Sequence, residues 1–510
     1  MTLPESSYAK PFLTVPEQVR RLRERGMDCG DDAYAAEVLE RYGYYRLSGY
    51  WHIYRDRPAH PAAQYDDGGR EIRLNTFITG ASLSRVVALY EFDHELRTRL
   101  GDVLSTIEVA IRFFIGHQLG KADKFAHRVP DALDAVRGAK QCPHAVLTNK
   151  YRDWLKEYNR DEKRARGDFV AHFREKYGPH LPIWVATEVM SFGVLSNLYR
   201  LMRQSDKKIL AARFQVHAAD GRGDCKALAN WLNSLRNVRN ICAHYGRVWN
   251  RTFDVIIDVP GQARRSEGDR LAPLADDGVN NRLYGVLLVM RHLMLSIDPG
   301  NTNVVDLTDY IDKQSQILDF DMRQLGFPAN WKDSLIWDPT FALDRSPMMA
   351  ASLLDRTESL TAPNAREALT SAEPKPKTEP RTLDQQAAAT RAAQKSLLRK
   401  YLQDQTVIEI ELGGTKYYPA FQFRDGKIID ALADINQKLA LSCGDAERTV
   451  VAKALLDWWL TPHPSLLRGT TGAHQSPLDL LNDLPEADFA EVVRATDVLS
   501  SFVVPGPGSV

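Results

Sequence analysis

Residues Trp231 to Arg251 read WLNSLRNVRNICAHYGRVWNR, and this stretch limits the fold more than any other. At 100° per residue, Trp231, Leu235, Val238, Cys242, Tyr245 and Trp249 fall in one narrow stripe, which predicts an amphipathic helix. Opposite the stripe come Arg236, Asn240, His244 and Arg247, with Arg239 on the flank between the two faces. Such a helix buries one side in a core and presents guanidinium, amide and imidazole groups on the other. Guanidinium groups grip phosphate through paired N–H donors, and a histidine among them can move a proton near neutral pH.

Within that helix, Arg239-Asn240-Ile241-Cys242-Ala243-His244 places four residues between an arginine and a histidine. It resembles the Arg-x4–6-His signature of HEPN ribonucleases. The same spacing occurs at Arg55…His60, in a Pro-containing loop, and at Arg112…His117, which spans Phe113, Phe114 and Ile115. Only Arg239…His244 has Asn after Arg and a polar helix face around it, so context selects it rather than spacing.

The chain has 510 residues, 66 Lys plus Arg and 66 Asp plus Glu, enough for two or more domains at zero net charge. Zero net charge argues against coating nucleic acid by bulk charge and leaves room for a local basic cleft. Five cysteines (Cys29, Cys142, Cys225, Cys242, Cys443) show no CxxC or other ligand spacing. They read as reduced thiols of a cytoplasmic protein without a zinc site. The N-terminal residues carry no apolar leader. The apolar helix near Tyr284–Ile297 is interrupted by Arg291 and His292 and is too short to span a bilayer. No paired carboxylates at hydrolase spacing, Walker loop or GxSxG is present, so no cofactor or metal is expected.

Along the chain, Thr14, Pro16 and Glu17 predict a capped helix that Gly26 ends. The aromatics of LERYGYYRLSGYWHIYR read either as core or as platforms for bases. Residues 58–75 form a Pro/Gly/Asp-rich loop. A long helix follows from Ser82 to Gly120, with Leu89, Leu96, Leu100, Val103, Ile107, Ile111 and Phe114 on one face. Its Glu108 and Arg112, four apart, read either as a surface pair or as lining of the cleft of Arg239 and His244. Residues 150–178 mix Lys and Arg with Tyr151, Trp154 and Tyr158, either a solvated helix or a second RNA contact.

Several stretches resemble the Abi-like (AbiD/AbiF) abortive-infection family: Lys10-Pro11…Gln18, Tyr44-Tyr45-Arg46-Leu47-Ser48-Gly49-Tyr50-Trp51, YEFDHELR with IEVAIR, and Leu181-Pro182-Ile183-Trp184 with Ser191-Phe192-Gly193. Gly326-Phe327-Pro328…Trp331 and Leu335-Ile336-Trp337 extend the resemblance over roughly residues 9–340. It implies a HEPN-like all-α domain over residues 1–345. Residues 346–395 read as a flexible linker centred on Glu373-Pro374-Lys375-Pro376-Lys377. In residues 396–510, Val407–Leu412 alternates, Gly413-Gly414 turns and Tyr417–Phe423 is extended, which predicts a β-hairpin in a small α+β domain. Trp458–Leu466 with Ser476–Leu481 resembles the toxin-binding domain of Xre/MbcA/ParS-type antitoxins. The chain as a whole is then mainly α.

Taken together, the resemblances imply an antiphage, metal-independent endoribonuclease that uses the RNA 2′-OH as its nucleophile. His244 would be general base or acid, Arg239 would stabilise transition-state charge, and Asn240 would orient His244 or donate to phosphate. Glu108, Arg112, Arg236 and Arg247 would bind RNA or support the site. The implied partners are RNA, as substrate or regulator, a second copy of the chain in a homodimer, and a toxin or antitoxin protein through the C-terminal domain. No membrane partner is implied. The alternative is a non-catalytic RNA-binding or protein-interaction regulator.

Overall fold

In a computed structural model of the chain, the described residues are 11–341 without 61–63, 67–70, 135, 138–145 and 267. Beyond these they are 343, 350, 352–354, 356–370, 383–412, 414–444, 446–468, 473–485, 488–489, 492–493, 499 and 502. Cys142 and the segment 371–382, the centre of the expected linker, lie outside them.

Three helices open the chain: α1 (Val15–Glu24), α2 (Asp32–Tyr42) and α3 (Tyr44–Trp51). The predicted capping box is present, with Thr14 N donating to Glu17 Oε2 at 2.7 Å. Tyr50 and Trp51 of α3 are buried, so the core reading holds for them, whereas Tyr45 is exposed.

The axis of the fold is α4 (Leu83–Gly120), 38 residues long. At 1.5 Å per residue it runs for about 57 Å. Ser82 caps it by accepting from Arg85 N. Its buried face runs from Leu83 through Leu96, Leu100 and Ile107 to Leu119. Around it pack α3, α5 (Asn149–Arg164), α6 (Asp168–Tyr177), α7 (Ile183–Val189), α8 (Phe192–Leu201), α9 (Gln204–Arg213), α10 (Cys225–Ala243), α11 (Leu283–Ile297) and α12 (Asn303–Ile317), all joined in one hydrophobic core. A two-residue ladder, β1 (Val136–Arg137) with β2 (Val146–Leu147), precedes α5. α7 approaches α4 closely at Gly116, where a Cβ would stand 3.1 Å from Thr187 Oγ1 and 3.3 Å from Trp184 Cα.

Tyr151, Trp154 and Tyr158 of α5 are buried, and the Trp154 and Tyr158 rings stack at 5.5 Å. None of the three is left to stack on a base, so this stretch is an amphipathic helix over the core. Buried α11 keeps its charge satisfied. Arg291 donates from Nε to Ile336 O, from Nη1 to Asn301 O and from Nη2 to Asp338 O, each within 3.1 Å.

A second core gathers β3 (Ser359–Thr361), α13 (Ala362–Glu367), α14 (Leu383–Gln403), β4 (Ile410–Leu412), β5 (Thr415–Pro419), α15 (Asp430–Ser442), α16 (Arg448–Leu460) and α17 (Pro477–Asp483). The predicted hairpin is β4–β5, with Leu412 opposite Thr415 and Gly414 at φ 72° in its turn. It does not run on to Phe423. Residues Ala420–Gln422 turn as a short 3-10 helix, and β6 (Phe423–Arg424) pairs instead with β7 (Lys427–Ile428). A last antiparallel pair joins β8 (His463–Arg468) to β9 (Ala473–Gln475). The sheet order is β3-β5-β4, so Ser359–Thr361, inside the stretch expected to be linker, adds an edge strand to the hairpin.

Candidate functional site

α10 begins at Asp224, whose carboxylate accepts from Lys226 N and Ala227 N and, through its second oxygen, from Gly261 N. Leu228, Trp231, Leu232, Leu235 and Val238 bury its apolar face, as the periodicity requires. The helix ends at Ala243, eight residues short of the expected Arg251. Gly246 N donates to Ile241 O and Tyr245 N to Cys242 O. This is a Schellman closure with Tyr245 in the left-handed region at φ 57°. A Cβ at Gly246 would meet Ile241 Cγ2 at 3.0 Å, so the turn needs glycine there. Tyr245 therefore leaves the buried stripe and is 64% exposed. Trp249 is buried, but it reaches the core from beyond the turn.

That turn is tied to the N-terminal third of α4. Asp93, fully buried, accepts from Trp249 N at 2.6 Å and Val248 N at 3.1 Å through one oxygen. Its other oxygen takes the Tyr50 hydroxyl at 2.6 Å and the Arg97 guanidinium. Four donors converge on one carboxylate. Burial first, then Asp93, pushes the Tyr50 hydroxyl far above its ordinary range, so it stays a donor. This network was not singled out from the sequence. Its signal was there: Asp93 and Arg97 interrupt the apolar stripe of α4 between Leu89, Leu96 and Leu100.

Farther along α4, about four turns beyond Asp93, Glu108 and Arg112 form an ion pair. Arg112 also donates to Met190 O at 2.6 Å and to Thr187 O, closing the C-terminal end of α7. The second Glu108 oxygen faces Arg239 Nε at 3.7 Å. Glu108 thus pairs with Arg112 on its own helix and also joins α4 to α10 through Arg239. Arg239 is 46% exposed beyond that contact. Asn240 and His244 are exposed on the last turn and the cap of α10.

The other candidates are placed differently. Arg236 is half-buried, donates to Asn233 Oδ1 at 2.8 Å and lies over Gly193 at the start of α8, with its Nε buried and unpartnered. Arg247 is not on the polar helix face, because the helix has already ended. It turns back to donate to Gly49 O at 2.6 Å, and burial lowers its proton affinity. Cys242 is a half-buried thiol whose pKa is pushed up to about 12 by desolvation first and then by Asp93, so it is mostly protonated at neutral pH. Among the described residues, no group of three or more His, Cys, Asp or Glu is arranged to hold a metal ion. No helix among them is long and apolar enough to cross a membrane.

The model of the Abi-like protein family matches residues 37–250. Over this stretch, less than half of the chain, the sequence is similar to the Abi-like proteins. The match is narrower than the expected 9–340, and it ends one residue past Trp249, where Asp93 ties down the turn. Both the Tyr50–Asp93–Arg97 network and the Glu108–Arg239 contact lie inside the matched stretch. No curated protein and no solved structure matches it.

Proposed function

We propose that this chain is a metal-independent endoribonuclease of abortive infection, with its site at the end of α10. The observation that carries this reading is the contact of Glu108 with Arg239 beside exposed Asn240 and His244. Held by Glu108, the Arg239 guanidinium loses less rotamer freedom on meeting a phosphate. In the reaction, the 2′-oxygen of RNA attacks the adjacent phosphorus as its proton passes to a base, and the 5′-oxygen leaves with a proton. The products are a 2′,3′-cyclic phosphate and a 5′-hydroxyl. His244 serves as the general base or acid, Arg239 neutralises charge on the phosphorane, and Asn240 contacts phosphate or His244.

One histidine per chain serves only one of the two proton transfers, and a homodimer supplies the second. Val109 and Phe113, 62% and 59% exposed and one turn apart beside Glu108, give α4 an apolar row for a second copy to cover. A non-catalytic RNA-binding role is the competing reading, favoured by the same lone histidine.

His244→Ala separates the two. Under the catalytic reading it abolishes RNA cleavage while changing RNA affinity less than about threefold, whereas Arg239→Ala weakens both. Cleavage by the His244→Ala protein at the wild-type rate contradicts the proposal.

A further inference from the structure

α5 ends in a cluster of cations whose neighbouring acids are turned inward. Arg160, Lys163 and Arg164 stand at i, i+3 and i+4 on the face opposite buried Tyr151, Trp154 and Tyr158, and Arg166 follows two residues past the helix end. All four are exposed, and none is paired with another described residue. The acids between them are held elsewhere. Glu162 is buried, accepts from Arg128 and faces Arg174 at 4.0 Å. Asp161 accepts from Ser191 N, at the start of α8, at 2.9 Å. Earlier on the outward face, Lys156 and Asp153 pair at 3.5 Å. Exposed Glu157 and Asp168 flank the cluster, which leaves four cations against two acids. The zero net charge of the whole chain thus conceals a local excess of positive charge.

An aromatic ring lies against this cluster. Phe169, in the first turn of α6, is 53% exposed, and a Cβ at Gly167 would stand 3.2 Å from its ring. The ring therefore lies over the backbone next to Arg166, and it stacks on no other described ring. Tyr151, Trp154 and Tyr158 fold inward, so Phe169 is the ring left outside. Unpaired guanidinium groups beside a free ring suit the backbone and one base of a single strand. A duplex keeps its bases stacked and offers none to such a ring. A bilayer surface needs apolar side chains on the same face, and the exposed residues of α5 are all polar.

The cluster is also joined to the end of α10. Ser191, held by Asp161, follows Met190, whose carbonyl takes the Arg112 guanidinium at 2.6 Å. Arg112 pairs with Glu108, and Glu108 faces Arg239. The turn Met190–Ser191 therefore touches both the last turn of α5 and the ion pairs behind Arg239.

We propose that the end of α5 and the start of α6 form a second binding surface for single-stranded RNA. Arg160, Lys163, Arg164 and Arg166 contact phosphates, and Phe169 stacks on a base. On the proposed reading of the α10 site, this surface takes the same RNA and anchors the strand away from the reacting phosphate.

The test is fluorescence anisotropy of a labelled, unstructured single-stranded RNA with the full chain carrying His244→Ala, so that cleavage does not intervene. Titrations run over a series of salt concentrations, beside Arg160→Glu together with Arg164→Glu, and beside Phe169→Ala, in the same background. Thermal unfolding shows that the variants are folded. The double reversal is expected to weaken binding about tenfold or more and to flatten the slope of log Kd against log salt by about 1.4, two phosphate contacts at about 0.7 each. Phe169→Ala should weaken binding about fivefold or more and leave that slope unchanged. Affinity and slope that the double reversal leaves unchanged, while Arg239→Ala weakens binding, overturn the second surface and leave the α10 site standing. Loss of affinity in the double reversal, beside a His244→Ala protein that cleaves RNA at the wild-type rate, supports the surface and contradicts the catalytic reading. No RNA binding at about 100 µM protein, or binding to phosphatidylserine vesicles in place of RNA, overturns the proposal.

Discussion

Two carboxylates on α4 do different work, and their burial orders their energetics. Asp93 is fully buried and holds four donors, while the Glu108 side chain is 12% exposed and shared between Arg112 and Arg239. Removing one partner of a buried pair costs about 3–5 kcal/mol, because the other charge stays unpaired. Asp93→Asn is expected to fall in that range, and Glu108→Gln to cost about 2 kcal/mol, since water reaches Arg239. Urea unfolding checks the order, and an equal or larger loss for Glu108→Gln contradicts it. The two variants should also differ in kind. Asp93→Asn loosens the turn after His244, whereas Glu108→Gln frees Arg239 alone. The exposure of Arg239, Asn240 and His244 was legible because the polar face of an amphipathic helix shows in its periodicity. Arg247 was not, since its partner, Gly49 O, is remote in the sequence.

At the scale of the element, the end of α10 is where local pattern and structure part. The stripe continues on paper through Tyr245 and Trp249, but the chain leaves the helix at Ala243. Gly246 was the available signal, one place later than the usual helix-ending glycine, because Tyr245 itself takes the left-handed position. That conformation costs a non-glycine residue about 1 kcal/mol, and a side chain 64% exposed returns little by burial. Tyr245→Gly is therefore expected to raise stability by about 0.5–1 kcal/mol. A lower denaturation midpoint would show instead that the Tyr245 ring makes a stabilising contact. Strain held beside a candidate active group is a common mark of function. α4 and its cap were readable to within one residue, because a long stripe averages over local accidents. β3 was not readable, being three residues long and paired with β5 far along the chain.

Across the whole molecule, the buried histidines of the first core shape the response to acid. His127 and His292 are fully buried, and burial lowers each to about 3. Unfolded, each takes a proton near pH 6.5, so below that value the unfolded state binds more protons. Stability present above pH 6.5 is lost as pH falls toward about 3, at about 1.4 kcal/mol per pH unit for each histidine. His127→Phe preserves the edge-on contact with Tyr158 and removes one such proton. Between about pH 6 and 5 its stability should fall less steeply than wild type by about 1.4 kcal/mol per pH unit. An unchanged slope would mean that His127 titrates normally in the fold. The mainly helical architecture was legible from periodicity and from the family resemblance; a cavity lined by residues of α4, α9 and β3–β5 was not, because no single window of sequence contains them. Under the proposed function, the end of α10 cleaves RNA through its own side chains. Its most direct test is incubation of wild-type and His244→Ala protein with total bacterial RNA in excess EDTA, followed by end-group analysis. The expected result is cleavage by wild type alone, leaving 2′,3′-cyclic phosphate and 5′-hydroxyl ends. Cleavage that EDTA stops, or that leaves 5′-phosphate ends, contradicts it.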